Sequence, residues 1–126
     1  MIIDMRTNKY GNKRVKASLA TDGYTFDSKA EYKMYCDLRL MQNSRTPLIS
    51  GLEVHPKFVI YPAYTNAAGK RVNQIVYEAD FSFYDIKQKR IRIIDCKGKR
   101  TDVFELKEKM FNREYRKLGY VLEYTI

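Results

Sequence analysis

The run RVNQIVYEADFSFYD, residues 71–85, constrains the fold more than any other stretch of the chain. Tyr77, Ala79, Phe81 and Phe83 fall on one parity, and Val76, Glu78, Asp80, Ser82 and Tyr84 on the other. That period of two is what a strand with one buried face requires. The segment IKQKR follows as a turn, and RIRIID then resumes an apolar pattern at Ile91, Ile93 and Ile94. Two strands joined this closely pair antiparallel. Asp80 interrupts the pattern, because aspartate is depleted in strands. If the turn is tight, Asp80 on one strand and Asp95 on the next stand roughly opposite. With such a turn the two acids can converge within the sheet.

The flanking sequence supplies the other layers. KFVIYPAY reads as a strand joined through TNAAGK to the run above, giving a three-stranded meander. Before it, residues 28–42 have Met34, Tyr35, Leu38 and Met41 at helical spacing. SRTPLISGLEVHP, with Pro47, Gly51 and Pro56, separates the two. A second helix starts near Lys99-Arg100-Thr101, buries Phe104, Phe111, Tyr115 and Leu118, and stops at Gly119. YVLEYTI is a closing strand, parallel to the third if both share a sheet, since strand–helix–strand units cross over right-handed. The expected class is α/β (α+β with a mixed sheet flanked by helices), in the order helix, three strands, helix, strand.

At 126 residues and 44% hydrophobic content the chain is expected to be one folded domain. From Met5 to Thr21 there is no acid, while Arg6, Lys9, Lys13, Arg14 and Lys16 are basic. Residues 1–21 are therefore expected as a basic arm and 22–126 as the domain. The arm is either a solvated tail or a phosphate-contacting segment. No apolar run approaches the roughly 20 residues of a membrane span. The N-terminus lacks the apolar core of a secretory signal. Cys36 and Cys96 form no CxxC pair, which suits a reducing, cytoplasmic location. His55 is the sole histidine, so zinc sites and histidine-based nucleophile pairs are disfavoured. Any chemistry falls to carboxylates, lysines and a metal. The net charge of +9 favours a polyanionic partner, nucleic acid above all.

Asp95 and Lys97 are two apart and so share a strand face. On its own this is an ordinary ion pair of little energetic weight. Converging carboxylates at 80 and 95 repel unless a cation lies between them, and oxygen ligands suit Mg²⁺ or Mn²⁺. A third acid, Glu31, borders the stripe of the first helix. Ser28-Lys29-Ala30-Glu31 is also a capping box, which accounts for Glu31 without any chemistry.

Glu31, the EAD ending in Asp80, and the DCK from Asp95 to Lys97 resemble the signature of the PD-(D/E)xK nuclease superfamily. From about Asn8 onward the chain is also similar to a small phage-encoded family of these nucleases. The matching stretches are NKYGNK, FDSKAEYKMYCDL, VHPKF, YEADF, DCKG and TDVFELKEKMF. The proline that precedes the first aspartate in the superfamily is Ala79 here, and the second acid is Asp95 where many members have glutamate. The resemblance implies a restriction-endonuclease-like αβββαβ core. It implies that Asp80, Asp95 and the carbonyl of Cys96 bind Mg²⁺, with Glu31 completing the shell, and that Lys97 orients the attacking water. Gly98 would let the backbone approach the nucleic acid, and Lys99 and Arg100 would hold neighbouring phosphates. Lys9, Lys13, Arg14 and Lys16 are further candidates for DNA contact. The implied activity is that of a structure-selective DNA endonuclease, similar to Holliday-junction resolvases, acting as a homodimer in phage recombination or replication inside the host cytoplasm. A less specific endonuclease and a non-catalytic nucleic-acid-binding protein are the alternatives.

Overall fold

A computed structural model describes residues 23–96 and 100–124 in full, with the backbone of residues 4–7, 13–16 and 125. The chain divides into two compact units, Met1–Ile49 and Ser50–Ile126.

In the first unit β1 (Asp4–Thr7), β2 (Lys13–Lys16) and β3 (Thr25–Phe26) form an antiparallel sheet in that order. The basic segment expected as an arm thus contributes two paired strands. Helix α1 spans Lys29–Asn43. Ser28 caps it, its hydroxyl accepting the Glu31 N–H at 3.1 Å, while the Glu31 carboxylate accepts the Asp27 N–H at 3.3 Å. The first bond satisfies a donor that the first helical turn leaves without a partner, and the second ties the residue before the cap to the helix. The buried stripe is Glu31, Tyr35 and Leu38, at i, i+4 and i+7. Met41, expected in that stripe, is exposed because it lies in the last turn, past the end of the buried face. Phe26, Tyr24, Tyr32 and Tyr35 pack as an aromatic group with ring centroids 5.1–6.4 Å apart.

The second unit holds a mixed sheet in the order β11-β10-β9-β4, built from β4 (Ile49–Val54), β9 (Phe81–Asp85), β10 (Arg90–Cys96) and β11 (Leu122–Thr125). As expected, β9 and β10 run antiparallel and β10 and β11 parallel. In chain order α1, β4, β9, β10, α2 and β11 read αβββαβ. The first strand of this series is a different one from that expected. ISGLEV supplies it, although it lies in the stretch read as a break. KFVIYPAY instead forms a ribbon outside the sheet, in which β5 (Lys57–Tyr61) pairs with β8 (Ile75–Glu78). The ribbon continues as β6 (Tyr64–Thr65) paired with β7 (Arg71–Val72).

Helix α2 (Asp102–Glu114) begins at Thr101, whose Oγ1 accepts the Phe104 N–H at 3.1 Å. Asp102 and Glu105 in its first turn and Arg113 in its last complement the helix dipole. Phe104 and Phe111 bury against Ile60, Tyr77, Ala79, Ile93 and Leu122, with Phe58 and Tyr115 at the edge of that core. Leu118 is exposed, contrary to expectation. The helix ends at Glu114 and residues 116–118 form a 3₁₀ turn, so the 3.6-residue phase that would bury it is lost. Gly119 closes the turn at φ 75°, where a side chain would be strained.

Candidate metal centre

Asp80 lies between β8 and β9, at a defect that the alternation conceals. Ile94 is the cross-strand partner of Phe81, yet the Asp80 N–H also bonds to the Ile94 carbonyl, at 3.1 Å. Two residues of one strand therefore oppose one of the other, which is a bulge, and bulges re-aim side chains. The parity changes there. Tyr77 and Ala79 share the core with Ile93, but the partner of Ile93 is Ser82 rather than Phe81. The single face expected for Tyr77, Ala79, Phe81 and Phe83 is thus split at Asp80, though all four are buried.

The bulge turns the Asp80 carboxylate toward the end of β10. Its Oδ2 accepts the N–H of Cys96 at 2.6 Å. Asp95, one residue earlier, is 2% exposed, and its Oδ2 accepts the hydroxyl of Tyr77. The antiparallel register runs from Arg90–Asp85 to Ile94–Phe81, and the bulge that adds Asp80 opposite Ile94 leaves Asp80 beside the end of β10 where Asp95 and Cys96 lie. The two acids expected to converge are therefore brought to the same end of adjacent strands. A buried carboxylate is costly unless it is hydrogen-bonded or paired with positive charge. Here the Tyr77 hydroxyl supplies one bond, and the core around it, including Phe104 and Phe111, keeps solvent from that side.

His55 belongs to this neighbourhood, which the sequence reading did not anticipate. Its N–H donates to the Asp80 carbonyl at 2.9 Å, and one ring nitrogen lies within 4.8 Å of an Asp80 carboxylate oxygen. Its φ of 55° is uncommon for a residue with a side chain. The next residue, Pro56, accepts the Ala79 N–H at 3.0 Å. The His55-Pro56 corner thus holds both residues that enter the bulge. The available signal was the VHPKF stretch, which carries no metal spacing of its own.

Glu31 lies in the first unit as the buried third residue of α1, with the capping-box bonds described above. Arg100, expected at phosphate, is engaged within the chain. Its guanidinium lies 4.4 Å from the Tyr124 ring centroid and donates to the Tyr124 hydroxyl at 2.9 Å and to Glu108 at 2.5 Å. Lys97, Gly98, Lys99 and Lys9 lie outside the described residues, as do the side chains of Lys13, Arg14 and Lys16.

Charges at the other end of the β9–β10 hairpin serve the fold. Arg92 donates to both Glu123 oxygens at 2.8 and 3.0 Å, and meets Asp85 at 3.4 Å. The Gln88 N–H, with Arg92 behind it, holds the Asp85 carboxyl below its ordinary range. Asp85 is thereby accounted for as the turn's cap.

A family model described as "Protein of unknown function (DUF1064)" matches residues 7–124. The chain belongs to this family. No match was found among curated proteins or among solved structures. The DUF1064 match includes β4, the ribbon and the His55-Pro56 corner, together with both acids of the bulge. Among the described residues, no helix of this DUF1064 chain is long and apolar enough to cross a membrane.

Proposed function

We propose that this DUF1064 protein is a Mg²⁺- or Mn²⁺-dependent DNA endonuclease, structure-selective in the manner of Holliday-junction resolvases and acting as a homodimer in the host cytoplasm. The observation that carries the reading is the bulge that turns the Asp80 carboxylate toward the strand end holding buried Asp95. The donor set fits a hard cation, since Asp80, Asp95 and the Cys96 carbonyl all offer oxygen. Bound there, such an ion would polarise the phosphate and lower the pKa of a bound water.

The chain's own groups have separate tasks in this proposal. Asp80 and Asp95 hold the cation, the first from a half-buried position and the second from the core. Tyr77 fixes the Asp95 carboxylate through its hydroxyl. Lys97 follows Asp95 by two residues, and its ammonium orients the attacking water and stabilises charge gathering on the phosphate oxygens. Water oxygen bonds to phosphorus as the bond to the leaving oxygen breaks, the water's proton passes to solvent and the leaving oxygen takes one up, leaving one phosphate end and one hydroxyl end. A branched junction cut symmetrically on two strands needs two such centres, which motivates the dimer.

The test is cleavage of a labelled four-way junction beside a linear duplex of the same sequence. The wild type is expected to cut the junction with Mg²⁺ and to stop in EDTA. Asp80→Asn and Asp95→Asn should each lose at least about 100-fold, the scale of removing one stabiliser of transition-state charge. Undiminished cutting in EDTA would overturn the metal assignment. Equal cutting of both substrates would make the enzyme a less specific nuclease, and binding without cutting a non-catalytic DNA-binding protein.

A further inference from the structure

The ribbon between β4 and β9 is absorbed neither by the sheet nor by the acidic centre. Its inner face is accounted for. Ile60 and Tyr77 are buried in the core, and Phe58 packs at 5.1 Å on Phe111 and 5.4 Å on Tyr115. The Tyr115 hydroxyl bonds to the Val59 carbonyl at 3.0 Å, which ties the ribbon to α2. The outer face is different in kind. Val59, Tyr61, Tyr64, Ile75 and Val76 are all exposed, and cross-strand pairing sets Val59 against Val76 and Tyr61 against Ile75. Exposed apolar residues paired across two strands in this way offer a surface to a partner.

Its chemistry selects the partner. Tyr61 and Tyr64 stand edge to face, ring centroids 5.9 Å apart, and are 39% and 42% exposed. Beyond them the tip is held by Asn66, whose side-chain oxygen accepts the N–H groups of Ala68 and Lys70 at 3.0 Å each. Lys70 and Arg71 sit side by side there, both exposed, and no carboxylate among the described residues pairs with either. Across residues 57–78 three basic residues face one acid, Glu78, which is itself the cross-strand partner of Lys57. The uncompensated charge is therefore at the tip, beside the tyrosines. Exposed aromatic rings next to unpaired cations match an unpaired nucleotide strand, whose bases stack while its phosphates meet the cations. A second copy of the chain would bring the same two cations against themselves.

We propose that the ribbon is the docking surface for unpaired bases in the DNA, with Tyr61 and Tyr64 as the stacking platform and Lys70 and Arg71 as the phosphate contacts. The inference deepens the nuclease reading and rests on it for the identity of the polymer. It assigns to the branched substrate of that reading a contact with bases that unpair at the branch point, beside the cut.

The experiment is fluorescence anisotropy in EDTA, so that binding is read without cleavage. The probes are a labelled single-stranded oligonucleotide and the same strand annealed into a duplex, over a series of salt concentrations. Replacing both tyrosines, Tyr61→Ala with Tyr64→Ala, should weaken single-strand binding by about 10-fold or more, because each stacked base contributes independently of salt. Duplex affinity should move by less than about 3-fold, since paired bases are not available to stack on these rings. Tyr61→Phe with Tyr64→Phe should restore binding. Lys70→Ala with Arg71→Ala should lower the salt slope by about 1.4, at roughly 0.7 per phosphate contact on a single strand, while the tyrosine variants leave it unchanged.

The proposal fails if the alanine pair binds single strands as the wild type does, or loses single strand and duplex equally. It also fails if light scattering finds a dimer that the tyrosine variants dissociate with DNA affinity unaltered, which would make the face a self-association surface. Junction cleavage by the wild type and by Asp80→Asn is measured in parallel. A protein that binds through its ribbon yet never cleaves would sink the nuclease reading alone, and one that cleaves with a silent ribbon would sink this inference alone.

Discussion

Tyr77→Phe is a direct test of how the buried acid is supported. The ring stays in place, 6.2 Å from Phe111 and 6.4 Å from Phe104, so packing is conserved and only the hydroxyl is lost. That hydroxyl donates to the Asp95 carboxylate, and Asp95 is 2% exposed, so bulk water does not readily replace the missing donor. A hydrogen bond to a charged group contributes about 1.5–3 kcal/mol, and the loss should fall in that range. With a urea m-value of roughly 2 kcal/mol/M, the unfolding midpoint should drop by about 1 M at unchanged m. Combining Tyr77→Phe with Asp95→Asn closes a double-mutant cycle, which should return a coupling of about 1 kcal/mol or more for side chains in direct contact. Saturating Mg²⁺ should raise the midpoint of the wild type and of Tyr77→Phe, because a ligand bound only by the folded state stabilises it. Asp80→Asn combined with Asp95→Asn should show no such rise. A Tyr77→Phe midpoint equal to that of the wild type, with zero coupling, would refute the idea that this hydroxyl holds a charged Asp95.

Two further outcomes are expected. The Asp85 carboxyl is held low by the Gln88 N–H and by Arg92, so the folded form binds fewer protons than the unfolded form between the two pKa values. Stability from this group is complete above the unfolded value near about 3.9 and is lost as pH falls through the lower folded value. Thermal melts of Asp85→Asn against wild type should therefore converge below that window, and profiles that stay parallel throughout would dismiss it. Glu31→Gln keeps an acceptor for the Asp27 N–H, so by its capping role it should change stability by less than about 0.5 kcal/mol. A folded Glu31→Gln protein that fails to cleave junctions would assign the charge to the chemistry, and wild-type turnover would leave Glu31 as a cap partner only.

Much of the fold was legible because it rests on local rules. The Ser28 and Thr101 caps, the paired β9 and β10 strands and the parallel return of β11 follow from cap residues, a short turn and an intervening helix. The position of the sheet's first strand was not legible. ISGLEV contains Gly51 at φ 64° and shows no clean alternation of burial, since β4 lies at the edge of the sheet and does not bury a full face. KFVIYPAY reads as a better strand and is one, but its apolar residues serve two surfaces, the core and the exposed outer face of the ribbon. Residue type alone does not distinguish a strand in the sheet from one that leaves it. The N-terminal strands escaped notice for a related reason, their sequences DMRT and KRVK having few apolar positions to count.

The two acids were legible as acids, and the bulge that aligns one of them was not. YEADFSF is compatible with an unbroken strand, because Phe81 and Phe83 are buried even after the bulge shifts the parity, so the apolar alternation runs on through it. The out-of-place aspartate was the one signal. In the fold its side chain takes the Cys96 N–H, a task that an asparagine oxygen would perform equally well. The Cys96 N–H therefore asks only for an oxygen acceptor on a short side chain at position 80, which asparagine also supplies. Beside a second carboxylate at 95, charge works against the fold unless something positive offsets it. Asp80→Asn should accordingly keep the bulge and fold at least as stably as the wild type while losing cleavage. A variant destabilised by more than about 1 kcal/mol, the net worth of an ordinary hydrogen bond, would show that the charge at Asp80 is there for structure.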